Sequence, residues 1–224
     1  MSSNKATGFF YTIAIIFVSF IAIPLSGNEM ESKPSYIPEW EYEVLIEMNL
    51  ARTNPKKYIE FLKERRGYYQ KEGYYLLPNS NIRMLTNEGV SAVDEAIRVL
   101  SKQKPVGPLS LSKGMSMGAK DHVDDTGPRG LTGHYGTDKS SPFDRIDRYG
   151  KWKSTAGENI SYGETLGRHV VLQLIIDDGV PSRGHRTNLY NPDFKVTGIA
   201  CGAHKVYRTM CVIDYAGGYV EKSK

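Results

Sequence analysis

The sequence has no internal repeat, no low-complexity block and no stripe of basic residues interleaved with aromatics. The first two absences leave a single domain as the reading of everything after about residue 34. The third excludes a nucleic-acid footprint: the formal net charge is +4 at pH 7, but the lysines and arginines are scattered and serve solubility. The five histidines fall into no short-range metal motif such as H-E-x-x-H, and no G-x-S-x-G elbow is present. The local signatures of a zincin and of an α/β-hydrolase serine are therefore missing. Cysteine is scarce, at two residues. What is there is ordinary for a globular chain: 224 residues, 40% apolar and 24% charged, enough for one well-buried core.

The longest apolar stretch is N-terminal. After Lys5, residues 8–27 (GFFYTIAIIFVSFIAIPLSG) carry no charge, and the composition turns polar at Asn28. A short basic start, an apolar run and small residues at Ser26 and Gly27 predict a secretory signal peptide over residues 1–27. The uninterrupted run over residues 9–25 is long for such a peptide and slightly short for a spanning helix, so an uncleaved signal anchor is the alternative; only then would a membrane hold the chain. A linker is expected over residues 28–40, the folded domain over 41–220 and a tail over 221–224.

Secretion bears on the two cysteines. Cys201 and Cys211 lie in β-patterned runs, KVTGIAC and TMCVIDY, either side of a turn-like GAHKVYR. An oxidising compartment favours a cross-link between them; two buried thiols are the alternative.

Helical periodicity marks the earlier part. WEYEVLIEMNLAR sets Val44, Leu45, Met48 and Ala51 on one face, and NPKKYIEFLKER restarts with Asn54 as N-cap and Pro55 at the first helical position. TNEGVSAVDEAIRVLSKQ spaces Val90, Val93, Ile97 and Leu100 likewise, and LSLSKGMSMGAKDHVDD brings Leu111, Met115, Ala119 and His122 close to one face. His122 there reads as a satisfied core histidine. SPFDRIDRYG reads as a charged helical face of Asp144, Arg145, Asp147 and Arg148, capped by Ser141, with Phe143 and Ile146 turned inward. TLGRHVVLQLIIDDG starts at a capping Thr165 and sets Val171, Leu174, Ile175 and Asp178 at helical spacing; Ser182 reads as the cap of a short following helix. A Tyr/Gly-rich loop is expected over residues 65–77. Helices early and strands late predict an α+β domain with an antiparallel sheet.

Three polar residues stand beside glycines between these elements: His134 in GHYG, Glu158 in AGENIS and His185 in RGHRTN. Glycine permits tight turns and close approach, which functional loops use. The neighbouring Asn159 opens an N-I-S glycosylation sequon but is expected to be buried. The runs LTGHYGTDKSSPFDRIDRYG, AGENISYG, VVLQLIIDDGVPSRGHRTNLYNPDFKVTGIACG and CVIDYAGGY resemble, in this order, the CAP superfamily of cysteine-rich secretory proteins, antigen 5 and pathogenesis-related 1 proteins, also called SCP-like. The likeness covers roughly residues 41–219 and is nearest the bacterial and protist branch, which uses GHRxN.

This resemblance implies an α-β-α sandwich with a small antiparallel sheet between helices and a cavity lined by two histidines and two acids. By motif, His134 matches the first histidine, Glu158 the glutamate of GEN and His185 the second histidine. Asp178 falls near the second glutamate, with Asp177 as a rival; both are shorter than glutamate, and Ile175 replaces the tryptophan usual before it. The candidate tetrad is therefore His134, Glu158, Asp178 and His185, with His134 and His185 as candidate ligands of a weakly held Zn²⁺ or other divalent cation. The function implied is a secreted, non-enzymatic SCP-like protein that binds a sterol or other small hydrophobic ligand, a cation or an extracellular protein partner through that cavity. The alternative is a metal-dependent extracellular hydrolase with Glu158 as general base.

Overall fold

Apolar residues spaced by three or four early in the chain, and by two late in it, must segregate into helices and a sheet that share a core. A computed structural model describes residues 33–223 apart from Glu72 and Asn79. The expected leader, and residues 28–32 of the expected linker, lie outside the described residues. The helices are α1 (Glu39–Thr53), α2 (Pro55–Arg66), α3 (Val90–Leu100), α4 (Lys113–Thr126), α5 (Pro142–Asp147), α6 (Gly167–Ile176) and α7 (Gly184–Leu189). The strands are β1 (Tyr74–Tyr75), β2 (Met84–Leu85), β3 (Ser110–Leu111), β4 (Gly150–Tyr162), β5 (Val196–His204) and β6 (Arg208–Glu221).

The main sheet has the order β3-β5-β6-β4. Its three long strands are antiparallel, and the short β3 joins β5 in parallel. Alternation along the strands feeds two cores. On one face Ile199, Ile213 and Tyr215 pack with Val44 and Met48 of α1, Tyr58 of α2, Val93 of α3 and Val171 of α6. On the other, Ala200, Met210, Val212 and Ile160 meet Ala119 and Val123 of α4, and Ala216 meets Met115 of α4 and Ile146 of α5. Helices therefore cover both faces, and the fold is α+β. The compact unit Lys33–Lys224 contains both cores complete. The α4 layer lies so close to the sheet that a Cβ at Gly198 would come within 2.2 Å of the Met115 backbone; only glycine allows this approach.

Local signals were kept in part. Asn54 accepts from Lys57 N–H with Pro55 in the first turn, and Ser141 forms a reciprocal capping box with Asp144. Thr165 and Ser182 do not cap: α6 has Leu166 at its N-cap and α7 has Arg183, in the left-handed region at φ 52°, neither with a side-chain cap bond. Within the expected loop over residues 65–77, Tyr74 and Tyr75 pair with β2. Strand β6 runs one residue past the expected domain end, and Glu221 accepts from Ser112 Oγ and Gly114 N at the start of α4. Cys201 and Cys211 face each other across β5 and β6 and form a disulfide. Asn159 is fully buried.

Candidate functional site

Successive residues of a strand point to opposite faces, and β4 uses this to hold two histidines from two sides. The Glu158 side chain turns toward α5, where His134 Nδ1–H donates to its Oε1 at 2.7 Å. Asn159, on the other face, donates from Nδ2 to the His185 carbonyl at 2.9 Å. The fold thus brings His134 and His185, far apart in sequence, to adjacent residues of one strand.

Each imidazole rests on a buried carboxylate. The His134 side chain is 47% exposed and Glu158 is 1% exposed. The His185 side chain is 25% exposed, and its Nδ1 lies 2.6 Å from Asp177 Oδ1, with Asp177 at 0%. A carboxylate on Nδ1 selects the Nδ1–H tautomer and aims the Nε2 lone pair outward, the arrangement by which oriented histidines accept protons or meet ligands. Among the described residues, neither Nε2 takes a hydrogen bond from the protein.

Of the two rival acids, Asp177 and not Asp178 is the one paired with His185. Asp177 adopts the left-handed conformation (φ 57°) as the C-cap of α6, so the helical period ends before Asp178. Asp177 Oδ2 then accepts from the His185 and Arg186 N–H groups at 2.9 and 3.2 Å, taking over the cap that Ser182 does not supply. Asp178 turns away and accepts from the Asn87 and Glu88 N–H groups before α3.

Two buried residues complete the His134 side. Arg145 was expected on a solvated face but is 1% exposed: its Nη2 donates to Glu158 Oε2 at 2.6 Å and its Nη1 to the His134 and Ser140 carbonyls. Phe143, expected inward, is exposed instead, because a six-residue helix turns only one such face to the sheet. Asp214 of β6 stands directly opposite Glu158 in the strand register and is fully buried. Its signal was present in CVIDYA: a carboxylate inside a strand whose neighbours on both faces are apolar. His122 is also buried; Nε2 bonds the Gly133 carbonyl at 2.8 Å and Nδ1 has no partner, so it is only half satisfied. Burial, then Arg145, lowers its pKa.

Both Glu158 oxygens are engaged and the side chain is buried: Oε1 holds His134 Nδ1 and Oε2 holds Arg145 Nη2. Among the described residues no three His, Cys, Asp or Glu side chains are grouped so as to hold a metal ion. The donors do not fit a resident zinc centre, which takes three or four protein ligands.

A largely apolar cavity lies elsewhere. It has a volume of about 410 Å³ between the start of α1, α4 and β5, with walls that include Ile37, Pro38, Met117, Val123, Ile199 and Ala203. None of His134, Glu158, Asp177 and His185 lines it. Lys113 at its edge lies over the Tyr36 ring and has no carboxylate partner among the described residues.

Comparison with known proteins places this arrangement. The profile described as the cysteine-rich secretory protein family matches residues 80–215, which include His134, Glu158, Asp177, His185 and Asp214. The uncharacterized protein YkwD of Bacillus subtilis is 32% identical over 92 residues, 41% of this chain. The aligned part spans 34% of the length of that relative. Among solved structures, an extracellular protein containing an SCP domain from Bacillus anthracis aligns with 57% of this chain and 37% of its own, at 19% identity and a TM-score of 0.40. An outer surface protein of Borrelia burgdorferi aligns with 50% of this chain and 78% of its own, at 21% identity and a TM-score of 0.41. Among the described residues no helix is long and apolar enough to cross a membrane. With the family profile matched over more than half its length, the chain belongs to the cysteine-rich secretory protein, or CAP, family.

Proposed function

We propose that this domain is a secreted, non-enzymatic binding module that holds a small apolar ligand of the fatty-acid or sterol class in the cavity between α1, α4 and β5. The observation that carries this reading is the cavity itself. Its volume of about 410 Å³ lies in the range of small-molecule sites, and its walls are largely apolar, with Glu41, Lys113, Lys120 and Asp124 as the charged groups among them, which favours a mostly apolar ligand. Lys113, with no ion pair among the described residues, is placed to meet an anionic head group. Secretion is supported by the uncharged apolar residues 8–27 with small residues at Ser26 and Gly27. A hydrolytic role for Glu158 has less support, since its carboxylate is shielded and already engaged.

The test is a titration of the unit of residues 33–224 with a fluorescent fatty acid and with a fluorescent sterol. Saturable binding of one of them, competed by its unlabelled form, is expected. No saturable binding of either would refute the reading.

A further inference from the structure

Asp214 is the most isolated charged group of the site. Its side chain is fully buried, and among the described residues neither carboxyl oxygen has a hydrogen-bond donor. An ionised carboxylate in that position is strongly disfavoured unless something pairs with it. The groups around it offer no pairing. Arg145 Nη2 is spent on Glu158, its Nη1 is spent on backbone carbonyls, and its Nε is unpartnered. Thr197 Oγ1 donates to the Asp214 backbone carbonyl and not to the side chain. His122 of α4 bears on the same cluster through Arg145 and Glu158, with Nδ1 unpartnered, and Tyr215 and Tyr219 of its own strand complete the ionisable surroundings.

What does face Asp214 is another carboxyl. Glu158 is its cross-strand neighbour, and residues opposite each other in a sheet share a face. Two carboxylates offer each other only acceptors. One proton resolves the contact: carried by Asp214, it gives an O–H donor to Glu158 and leaves one carboxylate opposite one guanidinium.

We propose that Asp214 is a neutral carboxylic acid that donates its O–H to Glu158, and is the positioning residue that fixes the carboxylate on which His134 rests. Glu158 then accepts from three sides: His134 Nδ1–H, Arg145 Nη2–H and Asp214 O–H. With its rotation blocked, it holds the imidazole in one tautomer with Nε2 outward. Burial first, and the charge of Glu158 second, push the Asp214 carboxyl well above the usual carboxylate range, in the same direction as the geometry. The inference stands apart from the apolar-ligand reading, because neither Asp214 nor Glu158 lines the cavity.

Infrared spectra at neutral pH and ¹⁵N spectra of His134 test it. The expected results are a protonated-carboxyl band in the wild type that is lost in Asp214→Asn, and an Nδ1–H signature for His134 that Asp214→Asn leaves in place. The amide of asparagine matches the neutral acid in shape and still donates to Glu158. Asp214→Leu, which removes the donor, should shift the His134 signature toward a mixture of tautomers. The proposal is overturned if Asp214→Asn removes no such band, or if it shifts the His134 signature as far as Asp214→Leu does. Where the leucine variant does not fold, the infrared result decides alone.

Discussion

The rim around His134 and His185 and the cavity beside α4 follow opposite designs. Around the two histidines the imidazoles are tied down from within: Nδ1 of each rests on a buried carboxylate, and each of those carboxylates accepts from further donors. The geometry there is set before any ligand arrives. The cavity is largely apolar, and the charges on its walls are Glu41, Lys113 over the Tyr36 ring and the Lys120–Asp124 pair. The resemblance had implied one cavity in which histidines, acids and ligand meet. None of His134, Glu158, Asp177 and His185 lines the cavity beside α4, so the two regions can be broken one at a time.

The largest effect should come from Arg145→Met. It strips the guanidinium from a buried carboxylate and should cost about 3–5 kcal/mol, read in urea unfolding, with ligand affinity per folded molecule unchanged. Replacing both Cys201 and Cys211 by alanine strikes the cavity wall instead. It opens a short cross-strand loop and should cost about 2–3 kcal/mol in the same measurement, with a loss of ligand affinity that Arg145→Met does not show.

Smaller changes separate the two acids after α6. Asp177→Ala removes the acceptor of two backbone donors and of His185, and should cost about 1–3 kcal/mol. Asp178→Ala loses bonds at a wetter site and should cost about 1 kcal/mol or less, with the His185 tautomer retained. Equal costs, or a disturbed His185 in the Asp178 variant alone, would reverse the assignment of the tetrad acid. The smallest effect is at Glu88, which holds Arg183 across this loop. Its hydrogen bonds to Arg183, and then to Gly179 N–H, lower its pKa from the ordinary 4.5 to about 2. A depressed carboxylate contributes stability present above the unfolded value and lost as pH falls through the folded one. Glu88→Gln should therefore match the wild type below about pH 2 and differ from it only above, by a slight margin in a pH series of melting curves.

How much of this was legible depended on whether the signal was local. Asn54, Ser141 and the alternation around Cys201 and Cys211 act over a few residues, and they read correctly. His134, Glu158 and His185 were found through motifs, yet only the strand shows how β4 collects them from two sides. Arg145 was misread because a helix of one and a half turns has too few residues to distinguish a charged face from a buried anchor. Asp178 was placed in the candidate tetrad, with Asp177 as its rival, by extending a helical period one residue past a left-handed turn that composition does not announce. The cavity has no motif at all, since Ile37, Met117 and Ala203 become neighbours only when α1, α4 and β5 pack.

The most direct test of the central claim is one titration of the apolar ligand into three proteins: wild type, Ala203→Trp and the double variant His134→Ala with His185→Ala. The indole should fill the cavity mouth and weaken binding by at least about tenfold, or about 1.4 kcal/mol, while the double variant binds as the wild type does. Binding that survives the tryptophan but fails without the histidines would contradict the account and return the ligand to the rim.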